Sequence, residues 1–182
     1  MTPQLYDVLM IFFAGLLVMI NGFFVAAEFA LVKIRRSRVD EMVEERRPFA
    51  STAGWLVERL DASLSACQLG ITMASLGLGW IAEPAVAHLL RPLILSIGIT
   101  SEILIHGIAF TIAFTAITAF HLVLGEQAPK IAALRRPETA VLWCALPLKI
   151  FYFLSYPFMA ALNSTTAFLL RMAGIEGASE HE

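Results

Sequence analysis

Three stretches of this chain, residues 5–32, 63–82 and 102–124, are apolar enough and long enough to cross a hydrocarbon core of about 30 Å, which takes roughly 20 helical residues. Inside such a core no water bonds to backbone N–H and C=O groups. A lone segment must satisfy its own, and the helix is the form that does so. Composition agrees: 58% of residues are hydrophobic and 15% charged, with a mean hydropathy of +0.75, a balance foreign to ordinary soluble domains. The expected fold is an all-α membrane protein with three transmembrane helices, some of them broken, and a belt of juxtamembrane helices. The first stretch lacks a basic leader and carries Asp7, so a span is a better reading than a cleaved signal peptide.

Net charge is only −2, but the charges are segregated. Lys33, Arg35, Arg36, Arg38, Arg46, Arg47 and Arg59 crowd the connection 33–62, and Lys130, Arg135 and Arg136 follow the third stretch. The positive-inside rule puts both in the cytoplasm, giving N-out/C-in. Residues 35–47 read as a charged helix stopped by Pro48, and 51–62 as an amphipathic helix through Trp55, Leu56 and Leu60. Glu83-Pro84 is expected to end the second span. Residues 85–99, interrupted by Pro92 and Gly98, are expected to form a short outer helix or a re-entrant piece. Pro147, Lys149 and Pro157 divide 140–170 into pieces of about ten residues, which suit helices at the inner surface better than a fourth span. The organisation that follows is a three-span core over 1–136, a belt over 137–175, and over 176–182 the start of a linker.

Each span carries a polar face at i, i+4, i+7: Asn21, Val25 and Glu28; Gln68, Thr72 and Ser75; Thr111, Thr115 and Thr118. Ala66, Gly70 and Ala74 repeat every four residues and, with Ala109, Ala113 and Ala116, predict close helix packing. Asn21 suits either an interhelical hydrogen bond or the lining of a cation cavity. Glu28, near the basic end, suits pairing with Lys33 or Arg35 equally.

Residues 122–134, LVLGEQAPKIAAL, place Gly, Glu, Pro and Lys together in an apolar run. Pro129 has no N–H, and its ring displaces the carbonyl four residues earlier, that of Gly125. A carbonyl freed beside the Glu126 carboxylate is half of a hard, oxygen-rich site, suited to magnesium, calcium or sodium rather than zinc. Broken helices with freed carbonyls hold cations in transporters. Other chemistries lack support. His88, His106, His121 and His181 show no zinc-binding spacing, and Cys67 and Cys144 are too few and too distant for a disulfide framework. The charge pattern gives no case for nucleic acid. Glu126 and Lys130 lie one turn apart, but no nucleophile or phosphate loop accompanies them, so an enzyme is not expected.

At NGFFVAAEFALVKIRRSRV, QLGITMASLGLGWIAEPAV and HLVLGEQAPKIAAL the sequence resembles the CorC/CNNM family of magnesium transporters, also labelled haemolysin-C-like or DUF21. The resemblance implies a homodimer in the cell membrane, the bacterial inner membrane. It implies export of Mg2+ coupled to Na+ entry, and ATP binding only through cytoplasmic CBS domains that these residues do not include. Carried over, its motifs point to Gly125, Glu126, Pro129 and Lys130 in the third span, to Ser75 in the second, where relatives often have Asn, and to the Asn21–Glu28 face in the first. Val25 stands where many relatives have Ser, leaving Asn21 or a backbone carbonyl as the first-span ligand. The expected ligand set is Asn21, Thr72, Ser75, Gly125 and Glu126. Gly22, Gly77, Gly79 and Pro129 are the expected bending points, and Lys130 the anchor of the inner mouth. The rival readings are a dimeric membrane anchor for nucleotide-sensing domains and a transporter of another hard cation.

Overall fold

The computed structural model describes residues 3–172, and its regular elements are all helices. They are α1 (Pro3–Lys33), α2 (Arg36–Glu44), α3 (Ala50–Glu58), α4 (Leu60–Ser96), α5 (Glu102–Phe120), α6 (Ala128–Arg135) and α7 (Pro137–Met172), with a π-helical turn, His121–Gln127, joining α5 to α6. Four helical stretches are long and apolar enough to cross a membrane: Val8–Lys33, Leu60–Ser96, Glu102–Arg135 and Pro137–Met172. The expected linker, 176–182, lies outside the described residues.

Two expectations about helix ends are corrected. α4 does not stop at Glu83-Pro84 but runs through Pro84 and Pro92 to Ser96. α7 is one helix of 36 residues with Pro147 and Pro157 inside it, not a set of short pieces. Proline removes one hydrogen bond wherever it sits, but with little water to capture the freed carbonyl a long apolar helix bends around it and continues. The turn between α4 and α5 is made instead at Gly98, whose φ of 87° suits a residue without Cβ. Arg91 and Glu102 pair across it at 2.8 Å.

α1 is the central element. Ala66 and Ala74 of α4 are buried, as is Gly70 between them, so the small-residue stripe does receive a partner helix. The main core then spreads from Phe24 and Ala27 of α1 through Met42 of α2 and Leu56 of α3 to Leu148 of α7. Trp55 on α3 is held edge-on by Tyr152 of α7, ring centroids 5.2 Å apart. Lys149 and Arg59 lie over its ring at 4.7 and 4.5 Å. Arg38 grips Glu138 with two hydrogen bonds, 2.8 and 3.1 Å, and Arg47 adds a third at 3.0 Å. Those contacts raise the Arg38 pKa further above its ordinary value, so the guanidinium stays charged. The basic connection is thereby fastened to the first turn of α7.

A Cβ added at Gly70 would fall 2.5 Å from three atoms of the Phe24 ring. That ring is pinned between Phe23 and Phe151, at centroid distances of 5.1 and 4.7 Å. Gly70→Ala is expected to destabilise the chain by ~1–3 kcal/mol through overpacking, read as a lower unfolding midpoint in detergent. An unchanged midpoint would mean that α1 and α4 are less closely apposed here.

Candidate cation site

The site begins where Pro129 interrupts α5–α6. With no N–H at 129 and its ring crowding the preceding turn, the helix widens over His121–Gln127, and the N–H of Ala128 bonds to the carbonyl of Val123, five residues back. Pro129 offers the Gly125 carbonyl no N–H four residues on, but that carbonyl is not left free as the sequence suggests. Asn21 Nδ2 donates to it at 2.9 Å, from a side chain that is 0% exposed. The amide orientation follows from chemistry, since only its NH2 group donates to a carbonyl. Ser75 Oγ then donates to Asn21 Oδ1 at 3.2 Å. One side chain on α1 thus joins α4 to the π-turn.

Two glycines make the approach possible. A Cβ at Gly22 would meet Pro129 Cγ at 2.9 Å and the Leu124 carbonyl oxygen at 3.5 Å. At Gly125 it would meet His121 Cδ2 at 2.7 Å and Asn21 Nδ2 at 3.3 Å. Neither position has room for a side chain without displacing backbone or a ring.

Of the expected ligands, Asn21, Ser75 and Gly125 are therefore in direct contact, and Glu126 follows on the same turn, half-buried. Thr72 is not drawn in. It is exposed, and its Oγ1 donates to the Gln68 carbonyl at 2.8 Å. Val25 is buried in packing, and Glu28 lies beside Gln68. Of the expected bending points, Gly77 would place a Cβ 3.3 Å from Leu17, while Gly79 has open space around it. Lys130 sets its ammonium over the Phe29 ring at 4.6 Å, tying α6 back to α1.

Sequence reasoning missed His121. Its Nε2 is buried and, among the described residues, is the one buried side-chain polar atom without a hydrogen-bond partner. It lines a cleft of about 360 Å³ between α4 and α5 with Ser75, Thr118, Leu78, Phe110 and Phe114. The signal was present, since Thr111, Thr115 and Thr118 continue to position 121 at i+3 on the same face.

Chemically the junction offers a backbone carbonyl and neutral side-chain oxygens, and Glu126 is the next residue of the turn. Among the described residues no three His, Cys, Asp or Glu side chains cluster as a metal group. A cation held here is held mainly by neutral oxygens, which suits a hard ion. Asn21→Leu removes both bonds and strands the Gly125 carbonyl. It is expected to lower stability by ~1–3 kcal/mol, measured by thermal unfolding in detergent. A change below about 0.5 kcal/mol, the range of neutral surface substitutions, would contradict the clasp.

The sequence has known relatives. Residues 11–182 match the family model described as CNNM, the Cyclin M transmembrane N-terminal domain. The chain is 43% identical over 166 residues to UPF0053 protein YugS of Bacillus subtilis, covering 91% of this chain and 38% of that protein. It is likewise 43% identical over 168 residues to UPF0053 protein YhdT of the same organism, covering 92% and 36%. To the uncharacterized protein MT1889 of Mycobacterium tuberculosis it is 37% identical over 169 residues, covering 92% and 47%. The chain thus spans less than half the length of each of these relatives. With the family model matched from residue 11 to the last residue, this multi-pass membrane chain belongs to the CNNM family, as its transmembrane N-terminal domain.

Proposed function

We propose that this domain carries Mg2+ across the cell membrane, outward and coupled to Na+ entry, by stripping the ion of water at a site centred on Gly125 and Glu126. The observation that carries the reading is the π-turn itself. It presents a displaced carbonyl and a half-buried carboxylate on consecutive residues, in a helix apolar enough to span a bilayer. Irregular backbone is tolerated at such depth only where protein or a cavity satisfies it, and a carboxylate there is costly unless it has work to do.

Magnesium prefers octahedral oxygen coordination at about 2.0–2.1 Å and gives up water reluctantly. Glu126 supplies the charge that compensates dehydration, and Gly125, Ser75 and Asn21 supply neutral oxygens. For Asn21 Oδ1 or the second lone pair of Gly125 to face the ion, the clasp has to shift, which makes it the element that changes during transport. In this reading α1, α4 and α5–α6 are the three spans with N-out/C-in, the first half of α7 lies along the inner surface, and two copies form a homodimer.

One observation favours a different class. The Gly125 carbonyl is already bonded to Asn21, as a purely structural junction in a membrane anchor requires. The two readings separate in proteoliposomes: Mg2+ flux is measured with and without an opposing Na+ gradient, for the native chain and for Glu126→Ala. Transport predicts gradient-driven flux that falls about tenfold or more in the variant, since even outer partners of a metal site change affinity by about 10–100-fold. Flux that Glu126→Ala leaves unaltered refutes this site. No flux from folded native protein supports the anchor.

A further inference from the structure

Resting on the transport reading, we propose that a furrow between α4 and α6, floored by one face of α1, is the water-filled approach to the cation site. Glu28 and Gln68 form a second station within it, which holds the divalent cation through its water before the junction strips that water away.

α1 has α4 on one flank and α6 on the other. Leu17 and Phe24 lie against Gly77 and Gly70 of α4, while Gly22 and Phe29 meet Pro129 and Lys130 of α6. Between those two flanks, on a third face of the same helix, run Asn21, Val25, Glu28 and Val32. α4 and α6 both pack on α1 but scarcely touch each other, so this face is the floor of a furrow. Exposure along the floor falls with depth: Val32 is 60% exposed, Glu28 is half-buried, and Val25 and Asn21 are 5% and 0% exposed. The furrow is therefore open at the Lys33 end and closed by the hydrogen bond from Asn21 to Gly125.

Its lining is polar where a groove filled by lipid is apolar. α1 and α4 run antiparallel, so two turns from the Asn21–Ser75 hydrogen bond Glu28 comes opposite Gln68. That pair lies about 10 Å nearer Lys33, at 1.5 Å of rise per residue. Gln68 bonds to the Glu28 carboxylate, and neither Lys33 nor Arg35 takes that place. A carboxylate in a span without a cationic partner is costly unless water or a cation reaches it. Thr72, exposed on the same wall, has committed its proton to the Gln68 backbone carbonyl. The Gln68 amide donates to Glu28 through its NH2 group and keeps its own oxygen as an acceptor. Water bound to a cation turns its hydrogens outward, and all three side chains meet those hydrogens with lone pairs. Magnesium, which keeps several waters and is commonly held by one or two carboxylates, suits such a station.

The test follows the reaction of Thr72→Cys with trimethylammonioethyl methanethiosulfonate, which reaches thiols through water, on the chain in phosphatidylcholine nanodiscs. Cys67 and Cys144 are buried, and the chain without Thr72→Cys gives their background. Hexaamminecobalt(III) is the protecting ion. Its six ammonia ligands do not exchange, so it represents a hydrated ion and does not enter a dehydrating site. Thr72→Cys is expected to react, and the complex to slow that reaction saturably. Adding Glu28→Gln is expected to raise the concentration for half-protection about tenfold or more, whereas Glu28→Asp, which keeps the charge, and Glu126→Gln hold it within about threefold. Glu28→Met replaces the glutamine variant if that variant does not fold. The proposal is overturned if folded Thr72→Cys does not react, if the complex does not protect it, or if protection is as strong without the Glu28 carboxylate. The transport reading fails by a different result, Mg2+ flux that Glu126→Ala leaves unaltered.

Discussion

The hydrogen bond from Asn21 to the Gly125 carbonyl is the interaction on which the rest of the site depends. A helix that widens in an apolar environment exposes backbone oxygen that water is not there to satisfy. The structure resolves this with a buried amide from another helix, 104 residues away in sequence. The same amide accepts from Ser75, so a single side chain fixes α1, α4 and the π-turn in register. Glycine at 22 and 125 allows the required proximity. The result is a closed junction whose oxygens keep lone pairs to spare.

Around this junction the packing is uneven. Toward the basic connection, α1 is enclosed by α2, α3, α4, α6 and α7 in one continuous core, and ion pairs at Glu138 fasten the exposed side. Toward the other end the helices meet through small clusters, Ala14 with Leu78 and Ala82, and Ile94 with Ile105 and Ala109. The α4–α5 cleft lies on this looser side. A firm half toward the basic connection and a loosely packed half at the other end place any rearrangement where few apolar contacts oppose it.

Much of this was legible from local chemistry. The Pro129 argument picked out Gly125 as the displaced carbonyl, and the structure has that carbonyl bonded outside its own helix. The Ala66-Gly70-Ala74 repeat marked the face that receives α1. Two kinds of feature were not legible. Pro84, Pro92, Pro147 and Pro157 read as breakers under rules learned in water, yet α4 and α7 pass through them, because a freed carbonyl has nowhere better to go. Pairings across the fold were also hidden. Nothing within residues 122–134 reveals that Asn21 fills the Gly125 carbonyl, nor does the spacing of Thr72 reveal that its hydroxyl turns back to Gln68. His121 was missed because the threonine face was taken to end at Thr118.

The claim that the π-turn at Pro129 creates the cation site is tested most directly by the Mg2+ affinity of Pro129→Ala, measured by titration calorimetry in nanodiscs. Alanine restores the missing N–H and removes the ring, so the turn is free to tighten into the α-helical ladder and withdraw the Gly125 carbonyl. The account predicts a folded variant whose Mg2+ affinity is lower by about tenfold or more. A folded variant with native affinity would contradict it, because the site would then not depend on the broken turn.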